Sequence, residues 1–163
     1  MFRIGDTLWM AVQREWNDDP EHHVKLVSYN TETDVWGHVL YQKAAPEKGW
    51  VGLSEITAHG DWVYVVERDN LHGAEAVTKK VYRIPVAEMV PVPLGETAPV
   101  VTKELVRDLL PDLVSTGGYV LDKVEGLAVT EDGEIFVSTD NDGVDDHSGE
   151  TMFFSIGRIG MMN

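Results

Sequence analysis

One short pattern recurs three times along the chain: a glycine, an acidic residue, and then a run of apolar, β-branched or aromatic residues. The three copies occupy residues 5–12, 60–66 and 133–138. Two of them follow a second apolar run, at residues 51–57 and 124–130, and the short spacing predicts a hairpin in each case. A repeated unit too small to bury its own apolar face must stack against its neighbours. The repeat therefore restricts the chain to a fold of stacked β units.

A further strand-like segment follows each copy, at residues 24–29, 80–84 and 152–156, and the first unit adds an outer strand at residues 35–41. Four short antiparallel strands per unit are typical of a propeller blade. We predict an all-β fold of three propeller-type blades in one partial propeller domain that spans the whole chain. The blade-like units cover about residues 1–46, 47–96 and 118–163.

Two connecting segments interrupt the repeat. Residues 86–100 are rich in Pro and Val, which favours an edge strand or an extended connection, because proline cannot donate to a sheet ladder. Residues 102–110 have the spacing of a short amphipathic helix, with Thr102 as its N-cap and Pro111 ending it. We therefore predict one short helix, within a helical connection over about residues 101–113.

The charge balance limits the kinds of partner. The chain has 28 acidic and 13 basic side chains, a net charge of −15, and its Lys and Arg residues are scattered. Nucleic acid is therefore an unexpected partner, since phosphate binding along a surface needs a basic patch. Carboxylates suit hard cations such as Ca²⁺, or serve only to keep the protein in solution. The absence of cysteine excludes thiolate catalysis and cysteine-bound zinc.

No segment of the chain has the features of a membrane anchor. The first 16 residues lack the uninterrupted apolar stretch of a signal peptide, and no apolar run approaches the length of a membrane span. We expect a soluble protein that does not act on membranes.

Several segments resemble the phytase-like family, also described as esterase-like activity of phytase. The likeness lies in residues 50–56, 66–70 and 123–128, and in Asp140-Asn141-Asp142-Gly143. The resemblance implies the later half of a six-bladed propeller with a central cleft, located in the periplasm or outside the cell, that hydrolyses a small phosphate ester or another ester. Three blades alone leave exposed sheet edges. Three alternatives follow: a second copy of the chain completes the ring, an N-terminal half missing from this sequence completes it, or the three sheets pack as a sandwich that is not a propeller.

The densest acidic cluster, residues 140–147, is a candidate calcium site. Like charges this close are costly unless a cation separates them, and Ca²⁺ takes carboxylate and amide oxygens. We predict Asp140, Asn141, Asp142 and Glu125 as the calcium ligands. The alternative is a solvated turn in which Asp and Asn side chains satisfy backbone amides.

Two glutamates, Glu55 and Glu125, lie beside Gly-Leu pairs in the predicted innermost strands, whose ends line the channel of a propeller. A carboxylate at this place can bind a metal or act as a general base. We predict Glu125 as a catalytic residue and Glu55 as a substrate contact. The alternative for both is an ordinary exposed glutamate at a strand end.

Two arginines, Arg14 and Arg68, follow two of the repeated strands at matching places. A planar guanidinium binds phosphate through two parallel hydrogen bonds, so both are predicted to contact the substrate. The competing interpretation pairs Arg68 with Glu67 or Asp69 in a surface salt bridge.

Among the histidines, His147 is the candidate proton donor to a leaving group, because it lies beside the acidic cluster. The chain has no Gly-x-Ser-x-Gly motif, so serine-esterase chemistry has no support. The leading hypothesis is a calcium-dependent phosphoester hydrolase of the phytase-like kind, or part of one. The alternatives are a non-catalytic, calcium-stabilised binding module, and a lactonase or esterase built on a propeller.

Overall fold

The computed structural model describes residues 1–117, 119–121, 123–141 and 151–160. Within them the chain forms strands and one short α-helix, α1 (Leu110–Ser115). The strands are β1 (Phe2–Ile4), β2 (Thr7–Ala11), β3 (His23–Asn30), β4 (Val35–Gln42), β5 (Val51–His59), β6 (Trp62–Asp69), β7 (Lys79–Pro85), β8 (Val92–Pro93), β9 (Val100–Val101), β10 (Glu104–Asp108), β11 (Val124–Val129), β12 (Glu134–Thr139) and β13 (Phe153–Arg158). In the described part of the chain no helix has the length and apolar character needed to cross a membrane.

The strands assemble into three sheets. The first sheet has the order β1-β2-β3-β4-β8, with β9 also paired to β4; the second is β10-β7-β6-β5; the third is β11-β12-β13. Pairing is antiparallel except between β4 and β9. The predicted all-β fold of three blade-like sheets with one short helix is confirmed.

The repeated Gly-acid motif is the turn that begins a strand of each sheet. Gly5, Gly60 and Gly133 have φ angles of +56°, +56° and +81°. A side chain strains the backbone in this left-handed region, which explains why glycine recurs there. The hairpins predicted around two of these turns are the pairs β5–β6 and β11–β12.

The predicted helix at residues 102–110 is wrong. Residues Glu104–Asp108 form β10, which pairs with the outer edge of β7, and the helix α1 begins only at Leu110. A bulge between Leu105 and Arg107 breaks the two-residue alternation of β10, so its apolar residues fall at a helix-like spacing. Pro111 lies in the first turn of α1, where its missing N–H costs nothing, and does not end a helix.

The second blade-like unit is also less contiguous than its predicted range of residues 47–96. Strands β8 and β9 leave this unit and pair with β4 of the first sheet, and β10 then returns as the outer strand of the second sheet. The Pro-rich segment is thus an edge addition to a neighbouring sheet, as its composition favours.

The second sheet lies between the other two, and both of its faces are buried. Val63 and Val65 of β6 pack in the core shared with the first sheet, whereas Tyr64 and Val66 pack in the core shared with the third sheet and α1. Because both faces of β6 are covered, its residues on either face are apolar, and this explains the unbroken apolar run of the strand. This stacking brings the inner edge strands β1, β5 and β11 side by side.

Two hydrogen bonds and one glycine mark the places where β5 lies close to its neighbours in the first and third sheets. Ser54 Oγ donates to the carbonyl oxygen of Val124, which joins β5 to β11 at 2.5 Å. The N–H of Leu53 donates to the carbonyl of Gln13 at 3.1 Å. A Cβ on Gly52 would lie 2.6 Å from that same carbonyl oxygen, so only glycine allows the first and second sheets to meet there.

Candidate functional site

The candidate site lies where the end of β6 meets the inner strand of the third sheet. Three consecutive charged residues, Glu67, Arg68 and Asp69, end β6, and all three are buried. Burying a charge is costly unless a partner neutralises it. Each of these residues has such a partner.

Glu67 and Asp69 have partners that belong to the scaffold. The Glu67 carboxylate accepts hydrogen bonds from the hydroxyl of Tyr41 at 2.8 Å, from the N–H of Ala44 at 2.9 Å and from the ammonium of Lys103. Asp69 is paired with the ammonium of Lys79 at 2.6 Å, and both of these side chains are fully buried. These contacts hold the end of β6 rigidly.

Arg68 instead pairs with Glu125 of the third sheet. Its Nη2 donates to Glu125 Oε1 at 2.8 Å, across 57 residues of sequence. The alternative that paired Arg68 with Glu67 or Asp69 is therefore wrong: those two carboxylates are taken by Lys103 and Lys79. The Arg68 side chain is 3% exposed and the Glu125 side chain 36% exposed, so the ion pair has one buried and one accessible member.

A backbone bulge aims Glu125 at Arg68. In the pairing of β11 with β12, Val124 lies opposite Thr139 and Gly126 opposite Ser138, which leaves Glu125 as the extra residue. A bulge redirects its side chain and is common next to functional sites. The corresponding bulge of β5 leaves Ser54 as its extra residue. Glu55 itself stays in the ladder, opposite Val66, and is not a bulged residue as Glu125 is.

A tryptophan brings the two predicted arginines together. The guanidinium carbon of Arg14 lies 5.1 Å from the ring centre of Trp50, and that of Arg68 lies 5.0 Å from the same centre. Both distances are within the range of a cation–π contact. Stacking on a ring leaves the N–H groups of a guanidinium edge available for hydrogen bonds.

Arg68 keeps unused hydrogen-bonding capacity. Its Nε and Nη1 are shielded from solvent and have no hydrogen-bond partner among the residues that the structure describes. An unsatisfied buried donor costs about 1–3 kcal/mol. An enclosed anion that accepted these hydrogen bonds would remove this cost.

Comparison with known families gives a match over most of the chain. The family model described as Phytase-like, esterase-like activity of phytase, matches residues 2–143, which include Arg14, Trp50, Arg68 and Glu125. The chain belongs to the phytase-like family. Comparison with curated proteins and with solved structures gives no match.

Glu55 of this phytase-like chain is directed elsewhere. Its Oε1 accepts a hydrogen bond from the N–H of Ile56 at 2.8 Å and lies 3.3 Å from the amino nitrogen of Met1. None of the contacts found for the described residues joins Glu55 to Arg68. The structure does not bring this predicted substrate contact into the site.

Of the predicted calcium ligands, Glu125, Asp140 and Asn141 lie within the described residues, and the calcium site stays a prediction because Asp142 does not. Glu125 is engaged by Arg68, and Asp140 is exposed, with its N–H donating to the Lys123 carbonyl at 2.8 Å. In residues 1–117, 119–121, 123–141 and 151–160, no group of three His, Asp or Glu side chains is arranged to hold a metal ion. Asp142 and the candidate proton donor His147 lie outside the described residues.

Trp50 is the member of the cluster that the sequence interpretation missed. A tryptophan in an apolar context more often fills an interface between blades, so the residue type alone did not indicate that Trp50 belongs to a binding site. Its place did give an indication: Trp50 comes two residues before Gly52, where the first and second sheets approach most closely. Aromatic side chains beside such a glycine are candidates for contact with charged groups on both sheets.

Proposed function

We propose that this phytase-like chain supplies the phosphate-binding side of a phosphoester hydrolase, and that the cluster of Arg14, Trp50, Arg68 and Glu125 holds the phosphoryl group of a small phosphate ester. One observation carries the proposal. Arg68 is buried beside a second arginine, and two of its nitrogens, Nε and Nη1, find no hydrogen-bond partner in the described part of the chain.

The charges of the cluster favour an anion. Arg14 and Arg68 contribute two positive charges and Glu125 one negative charge, which leaves a positive site in a chain whose net charge is −15. A positive cluster inside a strongly acidic protein does not attract polyanions along its surface, but it can hold a single anionic group. Guanidinium groups bind phosphate oxygens with two parallel, charge-assisted hydrogen bonds.

In the proposed phosphoester hydrolase, each charged residue of the cluster has a separate role. Arg68, fixed by burial, orients the phosphoryl group and stabilises the charge that develops on its oxygens. Arg14 is exposed and can close over the same group. Glu125, once separated from Arg68, can accept a proton from a water whose oxygen bonds to phosphorus while the P–O bond to the alcohol breaks. The protonated Glu125 carboxyl can then give this proton to the departing alkoxide.

The proposal predicts turnover of a phosphate monoester that depends on Arg68. We expect the wild-type protein to hydrolyse para-nitrophenyl phosphate, and Arg68→Gln to lower kcat/KM on the order of a hundredfold, because a buried charge-stabilising donor is lost. Arg83→Gln is the matched control: Arg83 also pairs with a glutamate, Glu104, and stacks on a tryptophan, Trp62, but outside this cluster.

The same assay separates the competing functions. Hydrolysis of a lactone or of para-nitrophenyl acetate without hydrolysis of the phosphate ester would replace the proposal with the lactonase or esterase alternative. Phosphate binding without turnover of any ester would indicate a binding module. An equal loss of turnover in Arg68→Gln and Arg83→Gln would remove Arg68 from the mechanism.

A further inference from the structure

The ion pair between Arg68 and Glu125 occupies the place that an anionic ligand needs. A guanidinium offers two forks of paired N–H groups, one formed by Nε and Nη2 and the other by Nη1 and Nη2. Glu125 Oε1 lies 2.8 Å from Nη2, the nitrogen that both forks share. The carboxylate therefore occupies the one nitrogen that both forks need, so that neither fork is complete for an incoming anion while Glu125 stays in place.

Only the Glu125 side of this pair is free to move. Arg68 is 3% exposed and is packed against Trp50, whereas the Glu125 side chain is 36% exposed at a bulge of an edge strand. A bulged residue is not held by the ladder of the sheet on both sides. Glu125 can thus turn toward solvent while Arg68 stays in place.

We infer that Glu125 is an internal counter-ion of the anion site, which neutralises Arg68 in the free protein and is displaced when a phosphoryl group binds. This inference rests on the proposed function, since it assumes that Arg68 binds the phosphate. The ion pair between Arg68 and Glu125 stabilises the site without ligand, because the carboxylate neutralises the buried guanidinium. It weakens phosphate binding by the same interaction, because the two anions compete for one guanidinium and repel each other.

Displacement of Glu125 from Arg68 also links the binding of the phosphoryl group to hydrolysis of the ester. The freed carboxylate of Glu125 lies next to the bound phosphoryl group, where a proton acceptor for water is needed. Glu125 therefore opposes substrate binding and supports turnover. A residue that was only structural, or only a metal ligand, would not have these two opposite effects.

The test is titration calorimetry with inorganic phosphate on the wild-type protein and on Glu125→Gln. Glutamine keeps the size of the side chain and removes its charge, so we expect the Kd for phosphate to fall roughly tenfold, equivalent to about 1.4 kcal/mol. In the hydrolysis assay the same variant is expected to lower both KM and kcat. Glu104→Gln, which neutralises the partner of Arg83, controls for the change in net charge and should leave the Kd unchanged.

The outcomes distinguish this inference from the proposed function. If the wild-type protein binds phosphate, Arg68→Gln abolishes binding, and Glu125→Gln binds phosphate equally or more weakly, the counter-ion role is overturned and the proposed site stands. If Arg68→Gln binds as well as the wild type, or if no variant binds, both are overturned. Should Glu125→Gln fail to fold by circular dichroism, Glu125→Ser replaces it, since a serine, Ser54, is also the extra residue at the bulge of β5.

Discussion

Buried ionisable side chains around Glu67 join the first and second sheets. Lys103 donates to Glu67 and lies 4.7 Å and 4.2 Å from the ring centres of Tyr41 and Tyr82. Burial lowers the pKa of Lys103, while burial and the Glu67 carboxylate raise the pKa of Tyr41 well above its usual value. A buried network of this kind specifies one arrangement of the two sheets, because any other leaves a charge unpaired.

The pKa of Tyr82 predicts how stability changes at high pH. Burial, followed by the charges of Glu67 and Asp108, raises this pKa from 10 to about 12. Between pH 10 and 12 the unfolded chain loses the tyrosine proton and the folded protein keeps it, so the free energy of unfolding falls as pH rises through this window. Tyr82→Phe should reduce that fall by on the order of 1 kcal/mol, allowing for solvent screening of a half-buried group.

Urea unfolding of the wild type and Tyr82→Phe at pH 8 and pH 11.5 measures this difference. At pH 8 the variant serves as its own control, since Tyr82 is neutral in both states. An identical change in stability for the two proteins between pH 8 and pH 11.5 would contradict the predicted role of Tyr82.

The candidate site was only partly predictable from single residues. Arg14 and Arg68 were identified because each follows a repeated strand, and the structure brings both to Trp50. The partner of Arg68 could not be chosen from sequence, because Glu67 and Asp69 are adjacent and Glu125 is 57 residues away. The alternation of side chains along β6 and the bulge at Glu125 decide which carboxylate pairs with Arg68. Both features exist only once the sheets have assembled.

The strands themselves were more predictable than the connections between them. The Gly-acid turns located β2, β6 and β12, because a left-handed turn and an apolar run are local features. The strand β10 was mistaken for a helix, since its bulge removes the alternation that identifies a strand. Its conformation is decided by the unpaired edge of β7, to which residues 104–108 add hydrogen bonds.

The contact between the first and second sheets gives a prediction for Gly52. Its Cβ position faces the Gln13 carbonyl oxygen at 2.6 Å and the Trp50 ring at 3.0 Å, so Gly52→Ala must separate the two sheets. Overpacking of this kind costs about 1–3 kcal/mol. We expect a lower thermal midpoint and, because Trp50 is displaced, weaker phosphate binding. The measurements are thermal unfolding followed by circular dichroism, and calorimetry.

The control for Gly52→Ala is Gly60→Asn in the β5–β6 turn. The Cβ position of Gly60 has open space around it, and asparagine tolerates its left-handed backbone. This variant should remain close to the wild type in both measurements. Equal behaviour of the two variants would show that the contact of Gly52 with Gln13 does not limit the packing of the sheets.

At the scale of the whole molecule, one face of the third sheet is left uncovered by the residues that the structure describes. Ile135 and Val137 of β12 point into the core shared with the second sheet, whereas Phe136 points away and stacks on Phe153, with ring centres 5.2 Å apart. Phe153 is 71% exposed. In a propeller each blade covers the apolar face of the next, so this face has the character of a surface that another sheet covers.

We therefore expect two copies of the chain to associate in solution through such faces and to dissociate when Phe153 is replaced. Sedimentation at several concentrations should give a mass approaching twice that of one 18.2 kDa chain, and a charge of −15 on each copy should make association stronger at higher salt, where repulsion is screened. Phe153→Ser should restore the single-chain mass, because it removes the ring that would be buried.

The control is Leu105→Ser, at an exposed residue of the outer strand β10, which should not change the mass. A single-chain mass for the wild type at all concentrations would contradict self-association. The uncovered face would then have to be covered by a different sheet, as the half-propeller hypothesis also allows.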